Sequence, residues 1–157
     1  MNPILLNIII VLVSCIGMEC VAWFAHKYLM HGLLWNLHKD HHKKESDHFF
    51  EKNDYFFLIF GIPGVLLIIL GSLDDFGVKF WMGIGISLYG FAYFLIHDVF
   101  IHQRFKLFRQ TNNIYFRAIR RAHKMHHKHI NKEEGECFGM LWVPFKYFSE
   151  ARHKMES

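Results

Sequence analysis

The sequence predicts an all-α fold: one integral membrane helical domain covering 1–157, with a histidine-rich di-metal site on its cytosolic side. Three observations carry this. The residues are 52% hydrophobic, gathered into long runs rather than spread as in a soluble core. Ten of the 13 histidines fall in four clusters beside the ends of those runs. Seventeen of the 18 lysines and arginines, all but Lys79, lie on the same side as the clusters.

Residues 3–24 are nearly unbroken apolar, and a crossing takes roughly 20 such residues. No basic start or small-residue cleavage site marks a signal peptide, so a retained transmembrane helix is expected. Glu19, near its end, should face protein rather than lipid, either beside the metals or in a structural contact. Gly32 offers a bend before the next histidines. His26 and His31 are five residues apart, which an α-helix splays by about 140°. A wide face, or a helix end between them, is therefore expected. The charged stretch 43–54 reads as interface or cytosol. Residues 55–73 form the second span; Gly61, Pro63 and Gly64 predict a kink or a close helix contact. Residues 72–77 make a tight turn, and 80–96 the third span.

Residues 103–113 read as a polar connection, and 114–129 as an amphipathic helix with Tyr115, Ile119, Ala122, His123, His126 and His127 on one face. Arg117, Arg120, Arg121, Lys124 and Lys128 surround that face, suited to headgroups, to an acidic redox partner or to plain solvent. The eleven residues 138–148 include Pro144 and are short for a crossing. An interfacial or re-entrant segment is expected, with Trp142, Phe145, Tyr147 and Phe148 at headgroup level.

Three crossings put all four clusters on one side, which the positive-inside rule makes cytoplasmic. The net charge of +4 flanks apolar spans without a nucleic-acid motif, so nucleic-acid binding is excluded. Cys15, Cys20 and Cys137 do not form a disulfide framework.

The clusters read His26-x4-His31, His38-x2-His41-His42, His97-x4-His102 and His123-x2-His126-His127: one pattern stated twice. Histidines at i, i+3 and i+4 project from one helix face. Ten imidazoles exceed the four to six ligands of one transition metal, so two metals with about five each is economical. An all-nitrogen site takes zinc, copper, nickel or iron. At a membrane face, coherent chemistry is O₂ activation between two Fe(II) ions and attack on an unactivated C–H bond of a lipid-soluble substrate. A zinc transporter would need polar ligands along the spans, and a haem carrier would need fewer histidines. His48 and His153 are read as ordinary, and His129 as a group that could touch a ligand.

The segments HKYLMHGLLWNLHKDHH (26–42), FEKNDYF (50–56), HDVFIHQRF (97–105) and AHKMHHKHINKEEGECFG (122–139) together resemble the bacterial β-carotene hydroxylases, within the membrane fatty acid hydroxylase and sterol desaturase superfamily. His97-Asp98 and the segment from Gly135 to Gly139 match the family pattern. Val99-Phe100-Ile101 departs from the usual Gly-Leu-Val, which leaves ring preference, including 4-keto rings, open. The resemblance implies two non-haem Fe ions, replaceable by zinc on purification, held by His26, His31, His38, His41, His42, His97, His102, His123, His126 and His127. It implies O₂-dependent hydroxylation of carbon 3 of β-ionone rings, from β-carotene through β-cryptoxanthin to zeaxanthin, in a bacterial inner membrane. Electrons would come from ferredoxin or a similar carrier. A fatty acid or sterol hydroxylase or desaturase is the alternative. Asp98, and less so Asp40, are candidates to accept an imidazole N–H and fix ring orientation.

Overall fold

The computed structural model describes residues 2–43, 49–129 and 135–156; His48 and residues 130–134 of the fourth motif lie outside them. Asn2 caps α1 (Pro3–Phe24) by accepting the Ile4 N–H at 2.9 Å, with Pro3 in the first turn, where its missing N–H costs nothing. The helix continues as a π-helical segment, Ala25–Leu33, which breaks at Gly32 (φ −129°, ψ −113°), where the bend was expected. There α2 (Trp35–His42) begins. A 3₁₀ turn, Lys52–Asp54, leads into α3 (Tyr55–Ser72), and a tight turn connects it to α4 (Val78–Tyr93). α4 passes into a second π-helical segment, Phe94–Ile101. After an irregular stretch come α5 (Ile114–Lys128) and α6 (Phe145–Glu156).

Among the described residues, three helices are long and apolar enough to cross a membrane: Pro3–Leu33, Lys52–Ser72 and Val78–Ile101. The first and third run several residues past the stretches read as spans, because the π-helical turns carry them on into the histidines. Ile4, Leu12, Ile62, Leu66, Leu88 and Phe91 point outward, a surface suited to lipid. The spans meet through small residues, as membrane helices do when packing rather than water drives association. α4 sits between α1 and α3. A Cβ on Gly83 would fall 2.6 Å from the Gly64 carbonyl of α3, and one on Gly85 2.6 Å from the Val11 carbonyl of α1. α3 runs unbroken through Pro63; the close contact foreseen there is made by Gly64, against Ile86.

The buried apolar core lies outside the spans, where Ala118, Ile119 and Ala122 of α5 pack on Val143, Tyr147 and Ala151. Burial of a side chain such as Ile119 contributes about 1.5–3 kcal/mol. This core presses the histidine face of α5 against the ends of the spans. Residues 138–144 form an irregular strap and α6 starts at Phe145, with Trp142 and Phe145 exposed.

Candidate metal centre

Each HxxxxH motif occupies a π-helical segment. There the N–H of residue i+5 bonds the carbonyl of residue i, as His102 does to His97 at 2.9 Å. Residues five apart then share a face, and the ring centroids of His26 and His31 are 5.1 Å apart, those of His97 and His102 4.5 Å. The 140° splay expected of an α-helix is thereby corrected. Each HxxHH motif lies at the C-terminal end of an α-helix, α2 or α5.

The four motifs converge into two groups whose nitrogens lie within 4.8 Å of one another: His26, His31, His38, His42 and His126; and His41, His97, His102 and His123. His127 belongs to neither by that measure, but its Nε2 is 2.9 Å from His123 Nε2 and its ring stacks on His42. His38, His97 and His126 are at most 2% exposed.

The backing hydrogen bonds fix which nitrogen faces inward. His26 Nδ1 donates to the Phe138 carbonyl (2.9 Å), His38 Nδ1 to Asn53 Oδ1 (2.7 Å) and His126 Nδ1 to the Glu136 carbonyl (3.0 Å). His41 Nδ1 donates to Glu51 Oε2 (2.9 Å) and His97 Nδ1 to Asp98 Oδ2 (3.3 Å). In a neutral ring each of these Nε2 atoms therefore carries a lone pair. Yet His26 and His38 bring their Nε2 atoms to 3.0 Å, and so do His41 and His97. With no proton between them, such pairs repel unless a cation is shared. A proton does not serve at neutral pH. Burial above all pushes His38 down to about 3, and burial followed by the crowding of imidazoles holds His41, His102 and His123 well below 6.5. His126 is pushed down to about 2 and His127 to about 4, burial again leading. Neutral inward-facing imidazoles are what transition metals bind. Nitrogens about 2.1 Å from one ion, at right angles about it, stand about 3.0 Å apart. The residues fit two metal ions.

Asp98 lies where the sequence placed it, against an imidazole. Asp40 instead accepts the Lys52 N–H at 2.6 Å. Glu51 and Asn53, within a stretch read only as polar, prove to be imidazole acceptors, and so do two main-chain carbonyls of the strap. Glu19 takes the structural alternative: it accepts Tyr89 O–H (2.7 Å), Leu141 N–H (2.8 Å) and Trp142 N–H (3.0 Å), tying the strap to α1 and α4. Part of the basic face of α5 is likewise structural. Arg120 bonds the carbonyls of Phe100, Phe108 and Arg109 and stacks on Phe100, while Arg121 pairs with Glu150.

A cavity of about 460 Å³ runs between the three spans and ends at His26, His97, Asp98 and Phe138. Its walls include Phe56, Phe60, Leu66, Tyr89, Phe91 and Phe94. The lining stretches 18–30, 54–66 and 86–98 each rise about 18 Å along a helix. The slot thus descends from lipid depth to the imidazoles.

Comparison with known proteins agrees with this geometry. The fatty acid hydroxylase family model matches residues 11–147. A β-carotene hydroxylase of Pantoea ananas is 40% identical over 138 residues, 88% of this chain and 78% of the relative. One from Paracoccus sp. (strain PC1) is 34% identical over 87% of this chain and 83% of its own length. The chloroplastic β-carotene 3-hydroxylase 2 of Arabidopsis thaliana is 36% identical over 83% of this chain and 43% of its own length. No solved structure matches. In sequence and in its histidine constellation, the chain belongs to the fatty acid hydroxylase family.

Proposed function

We propose that the chain hydroxylates carbon 3 of the β-ionone rings of β-carotene, giving β-cryptoxanthin and then zeaxanthin, at a non-haem di-iron centre. The observation that carries this reading is the pairing of lone-pair Nε2 atoms at the closed end of a lipid-level apolar slot. The names of the relatives supply the substrate. The five-histidine group would hold one ion, and His41, His97, His102 and His123 the other, with His127 joining them beside His123. The excess of lysine and arginine on the histidine side supports a cytoplasmic orientation, and a ferredoxin-type carrier would deliver electrons there. The organisation remains one hydroxylase domain over 1–157.

Bound iron supplies O₂ activation and removal of hydrogen from the ring C–H bond. One oxygen atom enters that bond and the other leaves as water, with two electrons and two protons from the donor. The chain does the rest. The slot admits an extended apolar molecule end-on, so a terminal ring rather than the polyene reaches the imidazoles. Its aromatic walls exclude water. The Nδ1–H bonds keep the ring protons on the outer nitrogens, leaving Nε2 free to bind metal.

Pigment analysis in a bacterium that makes β-carotene, with and without the gene, tests this. Mono- and dihydroxylated carotenoids are expected only with the gene. Unchanged β-carotene beside iron-loaded protein and a competent ferredoxin system would transfer the assignment to a fatty acid or sterol substrate.

A further inference from the structure

The hydrogen bonds behind the imidazoles divide the two groups by charge. In the five-histidine group the acceptors on His26, His38 and His126 are neutral: two main-chain carbonyls and the Asn53 amide. In the four-histidine group the acceptors on His41 and His97 are the carboxylates of Glu51 and Asp98. The 3₁₀ turn makes the division, since Glu51 at its start reaches one group and Asn53 within it reaches the other. One guanidinium holds both carboxylates. Arg104 places Nη2 3.1 Å from Glu51 and Nε 3.2 Å from Asp98, and Nη2 also lies 2.7 Å from Asp54. Its side chain is only 14% exposed. Three carboxylates against one guanidinium leave this side with an excess of negative charge, which a divalent cation would balance.

We propose that the two metal positions are inequivalent, that the four-histidine position takes the first divalent ion, and that Arg104 is the positioning residue for that position alone. This rests on the di-metal reading above. A carboxylate behind a ligating imidazole fixes the ring and raises the basicity of the inward nitrogen, and its loss costs about 10–100-fold in metal affinity. Arg104 acts one bond further out, keeping both carboxylates aimed at once.

Coulomb attraction and positioning give opposite signs for the same substitution. Removing a positive charge beside a cation site would by charge alone tighten the metal. Releasing Glu51 and Asp98 from their shared clamp would loosen it. The test is Co(II) titration of the metal-free, full-length protein in detergent, followed by visible absorption and calorimetry. The wild type should bind two ions in resolved steps. Arg104→Gln should weaken the first by about tenfold or more and spare the second. Arg104→Lys, which keeps the charge but not the fork, should weaken the first as well. Asp98→Asn should act likewise, and Asn53→Asp, which puts a carboxylate behind His38, should tighten the second. These two near-isosteric changes carry the test if the Arg104 variants do not fold. Two indistinguishable steps in the wild type would overturn the inequivalence. Tightening of the first step in Arg104→Gln, or equal loss at both, would overturn the role of Arg104. Fewer than two ions on the wild type would overturn the di-metal reading and this inference together.

Discussion

Replacing Glu19 by leucine removes the one side chain that ties the 138–144 strap to two spans. Three donors lose their acceptor: the Tyr89 hydroxyl and the N–H groups of Leu141 and Trp142. Trp142 is 80% exposed, so water can satisfy its N–H. The other two are partly buried, and an unsatisfied buried donor costs about 1–3 kcal/mol. The expected loss is therefore about 2–6 kcal/mol. At about 2–4 °C per kcal/mol for a chain of this size, Tm in detergent should fall by roughly 4–24 °C. Since the strap also supplies the Phe138 carbonyl to His26, bound metal should fall with it. Glu19→Gln keeps an oxygen for the two N–H groups and presents an amide to Tyr89, whose hydroxyl can turn to accept. It should cost less than half as much. A Glu19→Leu protein with wild-type Tm and full metal would refute the argument. Equal losses in the two variants would also refute it, because the acceptor oxygen would then not matter.

Three further outcomes are expected. His126→Ala should lose bound metal and ring hydroxylation together; full activity would remove it from the ligand set. A Cβ on Gly90 meets nothing within 4 Å, and Gly90 lines the cavity. Gly90→Phe should therefore leave bound metal unchanged but slow hydroxylation about tenfold by crowding the substrate, and unaltered turnover would show that the slot is not the substrate path. Metal-free protein should lose stability on acidification. His38, His126 and His127 titrate at about 3, about 2 and about 4 when folded, against about 6.5 unfolded. Between those limits the unfolded chain binds more protons, so stability is full above pH 6.5 and falls towards pH 4. A Tm that holds or rises from pH 7 to 5 would contradict this.

The histidines and the spans were legible in the sequence because both are patterns of residue type. Runs of apolar residues announce crossings, and ten histidines in four clusters announce ligands. The π-helical turns were not foreseen. They are rare in proteins, and nothing in Ala25–Leu33 or Phe94–Ile101 except the five-residue histidine spacing marks them. That spacing is itself the signal, since only an i to i+5 turn stacks two such rings. The carbonyls of Phe138 and Glu136 were invisible for a different reason. Every residue has a carbonyl, so only the path of the strap selects these two. Glu51, Asn53 and Arg104 were present in the quoted motifs, but their partners lie on other elements. Arg120 illustrates the same difficulty, a basic residue on an apparently solvated face that turns inward to three carbonyls.

The most direct measurement is the source of the oxygen in the product. Iron-loaded protein, supplied with β-carotene, a reduced ferredoxin-type donor and ¹⁸O₂, should yield carotenoid hydroxylated at ring carbon 3 and carrying ¹⁸O. Product whose hydroxyl oxygen came from water, or equal yield from a His126→Ala protein that binds no iron, would contradict the di-metal account.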